Sequence, residues 1–168
     1  MNRSMLYAIF LLPGTVIVVI PAIILWLTCD SLYACVVSGP TEYQFWLALC
    51  LLAAGVGLGI CTARLFFLKG QGTPAPWNPP RKLVVLGPYR YVRNPMIISV
   101  LISLTAEAIF FQSRPLLAWM VFFFIGNAIY FPLWEEKVLV KRFGKPYLQY
   151  RRNVPRWIPR LTPWVPDN

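Results

Sequence analysis

The chain contains no histidine, and only 6 acidic residues stand against 16 lysines and arginines in its 168 positions. It has no Gly-Lys-Ser/Thr phosphate loop and no Gly-x-Ser-x-Gly elbow. Its four cysteines, Cys29, Cys35, Cys50 and Cys61, show no close metal-type spacing. These absences argue against zinc hydrolysis, Ser-His-Asp catalysis and histidine acid/base chemistry, and no metal is expected. The polar inventory that remains is arginines, a few carboxylates, tyrosines and the amides at helix ends.

Apolar sequence is what the chain has in excess. Hydrophobic residues make up 58% of it and its mean hydropathy is +0.58, too apolar for a soluble fold of this length. An all-α integral membrane protein is expected, a single domain over residues 1–168. Four segments, Met5 to Leu27, Phe45 to Leu68, Pro95 to Gln112 and Pro115 to Trp134, lie near the roughly 20 residues that cross about 30 Å of hydrocarbon. A Pro/Gly-rich loop and a basic tail over residues 135–168 complete the chain.

Charge orients these spans, because lysine and arginine near helix ends are retained on the cytoplasmic side. Asp30 and Glu42 bracket a first loop free of basic residues, and the third turn carries only Arg114. Arg64, Lys69, Arg81, Lys82, Arg90 and Arg93 fall in or beside the second connection, and Lys137 through Arg160 crowd the tail. Both termini are therefore expected in the cytoplasm, with the cytoplasmic membrane of a prokaryote as the location. The net charge of +10 fixes topology and meets anionic headgroups, and no nucleic-acid partner is expected. The first apolar stretch is longer than a signal-peptide core, and no small-x-small cleavage site follows it.

Cys50 and Cys61 lie in an apolar span, where packing is their expected role. Cys29 and Cys35 share the outer loop, where a disulfide is chemically possible in an oxidising compartment. Gly55-x-x-x-Gly59 puts two glycines on one helix face for close backbone approach. Between Lys69 and Asn94, Gly70-Gln71-Gly72 and Pro74-Ala75-Pro76-Trp77-Asn78-Pro79-Pro80 preclude a regular helix. Trp77 favours a position at the headgroup level.

Asn94-Pro95 reads as a helix start, with Asn94 as the cap and proline where its missing donor is not needed. The same free amides suit a ligand carboxylate or phosphate. Glu107 in the third span is expected to pair with Arg114 near the outer interface, and Asn127 to bond between helices. Glu135-Glu136 have no lysine four residues on, since Leu139 and Val140 stand there. Their cation must come from elsewhere: Arg90, Arg93 or a positively charged ligand. Gly144 looks like a helix terminator, after which Tyr147 and Tyr150 face inward one turn apart. Pro155, Pro159, Pro163 and Pro166 enforce an extended tail, with Trp157 and Trp164 as anchors to the interface.

This inventory suits S-adenosyl-L-methionine, which carries a sulfonium, an ammonium and a carboxylate on one short chain. Glutamates can hold its amine, and amides or arginines its carboxylate. Methyl transfer is an in-line displacement in which the protein mainly aligns reactants and strips water from the nucleophile.

Gly87-Pro88-Tyr89-Arg90-Tyr91-Val92-Arg93-Asn94-Pro95, Glu135-Glu136 and Phe143-Gly144-x-x-Tyr147-x-x-Tyr150 together resemble the isoprenylcysteine carboxyl methyltransferase and phospholipid methyltransferase superfamily. The resemblance implies an integral membrane methyltransferase, with its cofactor site at the cytoplasmic ends of the last spans and a lipid-like acceptor entering from the bilayer. Carried over, Gly87, Tyr89, Arg93, Asn94 and Pro95 line the cofactor site, Glu135 and Glu136 bind its polar end, and Tyr147 closes the pocket. Arg93, Asn94 and Glu136 are the candidate catalytic residues, and Arg152 and Arg156 are candidates for orienting an acidic substrate. In related phospholipid methyltransferases a Gly-x-Gly element is assigned to cofactor binding, which leaves a second reading open for Gly55, Gly57 and Gly59 beside helix packing.

One departure stands out: the superfamily's commonest form has Arg-His-Pro where this chain has Arg93-Asn94-Pro95. Asparagine can hydrogen-bond but does not accept a proton near neutral pH. Prenylcysteine-type carboxylates, phospholipid amines and hydrophobic thiols all fit as acceptors. Two competing readings remain: a small four-helix transporter coupled through Glu107, and a non-catalytic adaptor that docks partners or acidic lipids through its basic tail.

Overall fold

The computed structural model describes residues 13–29, 36–70 and 82–166, and these are helical without any strand. Helix α1 spans Thr15–Thr28, α2 Tyr43–Gly70, α3 Pro95–Phe110 and α4 Arg114–Phe143, and α5 spans Lys145–Asn153. Among them, α2 and α4 are long and apolar enough to cross a membrane, while α1 and α3 are shorter apolar helices. The four apolar segments read from the sequence thus all coincide with helices. The start of the first segment lies outside the described residues.

Local chemistry sets the helix ends. Pro95 opens α3, where its missing N–H would have had no partner. Ser113 caps α4, its hydroxyl accepting from the Leu116 amide. The reversal between α3 and α4 turns on Gln112 at φ 45°, whose side chain donates to Ser38 and Glu42. Helix α4 runs through Trp134 without a break to Phe143 and stops at Gly144, whose φ of 58° and ψ of −132° suit glycine. Pro132 lies within the wide π turn Phe131–Glu135. One extra residue in such a turn rotates everything beyond it by about 100°. That rotation helps set which way Glu135 and Glu136 face.

Helices α2 and α3 pack closely through their small residues. A Cβ on Gly55 would sit 2.5 Å from Ser103 Oγ and 3.0 Å from the Ser99 carbonyl, and one on Gly59 would sit 3.2 Å from Ser99 Oγ. Gly57 has nothing within 4 Å. The glycine pair is therefore a packing surface, as small-xxx-small pairs are between membrane helices. Outward faces of α2 and α4 expose Trp46, Leu49, Val56, Ile60, Val121, Phe122, Ile125 and Ile129, as lipid contact requires. Helix α1 lies on α4, with the Trp119 indole donating to the Val16 carbonyl.

A second, smaller core lies beyond the long helices. Tyr147, Tyr150 and Val154 are buried there among Leu83, Val85, Leu139, Val140, Phe143 and Trp164. It joins α5, the end of α4, the segment before the Gly87–Arg90 turn and the tail. The inward-facing tyrosines expected one turn apart are present, with ring centroids 6.2 Å apart.

Four expectations are corrected. Asn94 does not cap α3 through its side chain: at φ −117° and ψ 54° it lies outside the extended region from which a cap side chain reaches the first amides. No ion pair joins Glu107 to Arg114 among the described residues. Glu107 faces α2, where it helps line an apolar cavity of about 250 Å³ with Phe45, Leu49 and Phe110, whereas Arg114 is exposed beyond the turn. Asn127 donates to the Phe123 carbonyl of its own helix rather than across to another. Trp164 packs into this second core, on Tyr150, whereas Trp157 is half-buried against Phe124 and Phe131 of α4. Asp30, Cys35, Arg81 and the stretch from Gln71 through Pro80, with Trp77, lie outside the described residues, and with them the Cys29–Cys35 pairing.

Candidate functional site

Three segments distant in sequence meet at the ends of α3 and α4. The first is the 3₁₀ turn Gly87–Arg90 and the residues leading into Pro95. Gly87 takes φ 54° with its Cα against Leu65, where a Cβ would come to 3.0 Å. Only glycine adopts that backbone without strain, so the residue fixes how the turn seats on α2. Tyr89 is then buried against the Phe66 ring, 5.3 Å between centroids.

The second segment is the end of α4, where Glu136 is 6% exposed. Its Oε1 accepts from Arg93 Nη1 at 2.7 Å and from Arg156 Nε at 2.8 Å and Nη2 at 2.7 Å, and Arg151 approaches Oε2 at 3.8 Å. Of the cations open to Glu136 in the sequence, the structure selects Arg93. Arg90 is engaged elsewhere, its Nε donating to the Trp164 carbonyl. Three guanidiniums around one carboxylate leave a positive excess at a buried point. Such a cluster favours anions, and it would lose a great deal of stability if its single carboxylate were removed.

Glu135 has a different environment. Its Oε2 accepts from the Tyr130 hydroxyl at 3.4 Å, and no ion pair reaches it among the described residues. Adjacent carboxylates that read alike in the sequence therefore divide: one is tied to three arginines, the other only weakly held.

The third segment is the tail, which folds back along the first. Arg93 N donates to the Pro155 carbonyl, Arg160 N to Tyr91 and Trp164 N to Arg90, each at 2.9 Å. Arg93 Nε adds a bond to the Val154 carbonyl at 2.9 Å. Arg93 is thus fully used, binding Glu136 on one side and the tail on the other. Sequence reasoning missed this strap, whose partners lie more than 60 positions apart, and the tie of Arg156 to Glu136, 20 positions back, because nothing in the local pattern around Trp157 signals either.

Tyrosines complete the site. Tyr150 donates to the Tyr89 carbonyl at 2.7 Å. Burial pushes the Tyr89, Tyr147 and Tyr150 phenols above their ordinary range. At Tyr147 the nearby Glu136 charge adds to that push, while Arg93 opposes it. At neutral pH all three are protonated donors rather than bases. Two buried polar atoms at this end of the molecule have no hydrogen-bond partner among the described residues: the Tyr89 hydroxyl and Asn94 Nδ2. Unpaired buried donors are costly and rare, and these two lie within one short segment of the chain. Pro95 is buried beside them, whereas Arg152 is exposed on α5, next to Gln149 and Lys145 along an open groove.

The phospholipid methyltransferase family model matches residues 43–146. That range takes in α2, α3, α4 and the turn that carries Tyr89 and Asn94. Methanethiol S-methyltransferase 2 of Bradyrhizobium diazoefficiens is 32% identical over 76 residues, 44% of this chain. The chain spans 27% of that relative's length. No solved structure matches it.

Proposed function

We propose, on the premise that this chain belongs to the phospholipid methyltransferase family, that it transfers a methyl group from S-adenosylmethionine to a lipid-like acceptor at the cytoplasmic membrane face. Methyl transfer itself is supported by the family and by the named activity of the relative. The observation that carries the finer reading is the pair of unpartnered buried donors, Tyr89 OH and Asn94 Nδ2, in the segment that also holds Arg93. Such donors fit the carboxylate and hydroxyl oxygens of that cofactor. Bound there, the cofactor supplies a methyl group on a sulfonium, activated for in-line displacement.

The chain's own residues then divide the work. Tyr89 and Asn94 donate to the cofactor's oxygens, beside Gly87 and Pro95. Glu135, lightly held, receives the ammonium. Glu136 acts through Arg93, holding the guanidinium and the tail in register. Tyr147 closes the pocket, and Arg152 remains free to meet an acidic acceptor. A membrane domain of four spans, α1 to α4, with both ends in the cytoplasm presents this site at the bilayer surface.

The acceptor arrives with its nucleophile deprotonated. No histidine exists in the chain, and the three site tyrosines hold their protons. A carboxylate meets that condition at neutral pH, and a thiol meets it once its proton has gone to water, leaving a thiolate. The relative's name points to a thiol, and a hydrophobic thiol is the acceptor favoured here. The excess positive charge around Glu136 stabilises such an anion.

Equilibrium binding of S-adenosylmethionine to the full chain in nanodiscs tests the reading, alongside Tyr89→Phe and Glu135→Gln. Saturable binding that weakens about 5- to 30-fold in each variant, the range for losing one buried or charge-assisted hydrogen bond, is expected. No binding by folded protein would overturn it.

A further inference from the structure

The tail has a feature that the site does not use. Between Pro155, tied to Arg93, and Trp164, tied to Arg90, it loops outward, held once on the way by Arg160 on Tyr91. The loop carries Trp157 on its inner side, and large apolar residues on its outer side: Ile158 is 79% exposed and Leu161 99% exposed. Neither belongs to a helix; one exposed apolar side chain is ordinary, and these two gain meaning from the spanning helix beside which their loop lies.

Trp157 supplies the depth. Its ring lies 5.4 Å from that of Phe124 and 6.1 Å from that of Phe131, both on α4. These residues precede Trp134 by ten positions in one case and three in the other. A rise of about 1.5 Å per residue puts them about 15 Å and 5 Å along the helix from it. Phe124, Leu133 and Trp134 are themselves exposed on the outer face of α4. The loop therefore descends alongside the apolar part of a spanning helix, and its outer residues continue that helix's lipid-facing surface.

The loop's backbone suits such a place. Non-helical chain in contact with lipid must not leave N–H groups unpaired. Pro155 and Pro159 have none to leave, and Arg160 donates to Tyr91. The amides of Trp157, Ile158 and Leu161 have no backbone acceptor among the described residues, so the main chain keeps to the hydrated headgroup level and only side chains reach deeper. Arg160, Arg151 and Arg152 flank the loop with charge of the sign that anionic headgroups attract.

We propose that residues 156–161 form a re-entrant membrane contact, in which Ile158 and Leu161 enter the cytoplasmic leaflet beside α4 and the flanking arginines meet lipid phosphates. The occupant of this apolar surface is the acyl region of the bilayer that holds α4. The proposal rests on α4 spanning that bilayer, and not on methyl transfer.

Nitroxide accessibility decides it. The full chain, with its native cysteines replaced, is labelled singly at Ile158→Cys, Leu161→Cys, Phe122→Cys or Gln149→Cys in nanodiscs of phosphatidylcholine and phosphatidylglycerol. All four positions are exposed, and labelling Phe122 gives up only a surface stacking contact with Trp119. Collisions with oxygen are expected to outweigh those with a water-soluble nickel chelate at 158 and 161, as at the lipid-facing reference Phe122, with the reverse at Gln149. Nickel preference at 158 and 161 with oxygen preference at 122 would overturn the proposal and leave the spanning reading of α4 intact. Nickel preference at 122 as well would remove its premise. Shielding from both reagents, with spin–spin broadening that disappears on dilution by unlabelled protein, would assign the surface to a second copy of the chain and overturn it too.

Discussion

The Tyr150 hydroxyl donates a 2.7 Å hydrogen bond to the main-chain carbonyl of Tyr89, 61 positions earlier, in the buried interior of the second core. One bond thereby joins α5 to the turn that carries the candidate site. Tyr150→Phe keeps the ring and removes the donor, leaving the Tyr89 carbonyl unsatisfied. A loss of about 1–3 kcal/mol is expected, read as a lowered unfolding midpoint in detergent. Tyr150→Ala adds a cavity and is expected to cost about 3–5 kcal/mol.

The two adjacent glutamates are expected to separate in experiment. Glu136→Gln takes the only carboxylate from among Arg93, Arg151 and Arg156, and breaking a buried pair costs about 3–5 kcal/mol. Glu135→Gln removes no ion pair and is expected to change stability by less than about 0.5 kcal/mol while weakening S-adenosylmethionine binding. Thermal unfolding and ligand titration on the same two variants check this division. Equal destabilisation by both would contradict it.

Asn94 makes no side-chain cap bond, and its Nδ2 is unpartnered. Asn94→Ala is therefore expected to fall short of the usual penalty of about 1 kcal/mol for losing a cap, leaving the unfolding midpoint close to that of the parent. Cofactor affinity is expected to fall in the same variant. A stability loss of full cap size would show that Asn94 serves the helix after all.

Glycines one turn apart on α2 are expected to respond differently from the one between them. Gly55→Ala drives a Cβ into Ser103 Oγ and the α3 backbone, an overpacking worth about 1–3 kcal/mol of destabilisation. Gly57→Ala meets nothing within 4 Å, and replacing glycine inside a helix is expected to stabilise by about 0.5–1 kcal/mol. Unfolding midpoints of the two variants give the comparison directly.

Alkaline pH is expected to loosen the second core. Burial raises the Tyr89, Tyr147 and Tyr150 phenols above their ordinary range, so the native state holds these protons more tightly than the unfolded state. Their contribution to stability is complete below the unfolded value of about 10 and is lost as pH rises beyond it. Ultraviolet tyrosinate titration is expected to show a late-ionising fraction that disappears on unfolding. Complete ionisation near pH 10 in the folded protein would count against the burial of these rings.

What could be read in the sequence was set by local physics. Apolar length marked the four helical segments, Gly144 and Pro95 marked helix ends, and Gly55 with Gly59 marked a face for close packing. The family motif around Tyr89 and Asn94 was legible for the same reason, as a run of residues whose order is itself the signal. What the sequence could not determine was partnership across the fold. Glu136 finds its cations 43 positions back and 20 ahead, and Trp164 turns inward on Tyr150 instead of out to the interface. Hydropathy and periodicity describe one element at a time, whereas a buried carboxylate or an indole takes the neighbour that several packed elements bring to it. Only the tertiary structure makes that choice, because the energies of desolvation and close contact depend on where distant segments cross.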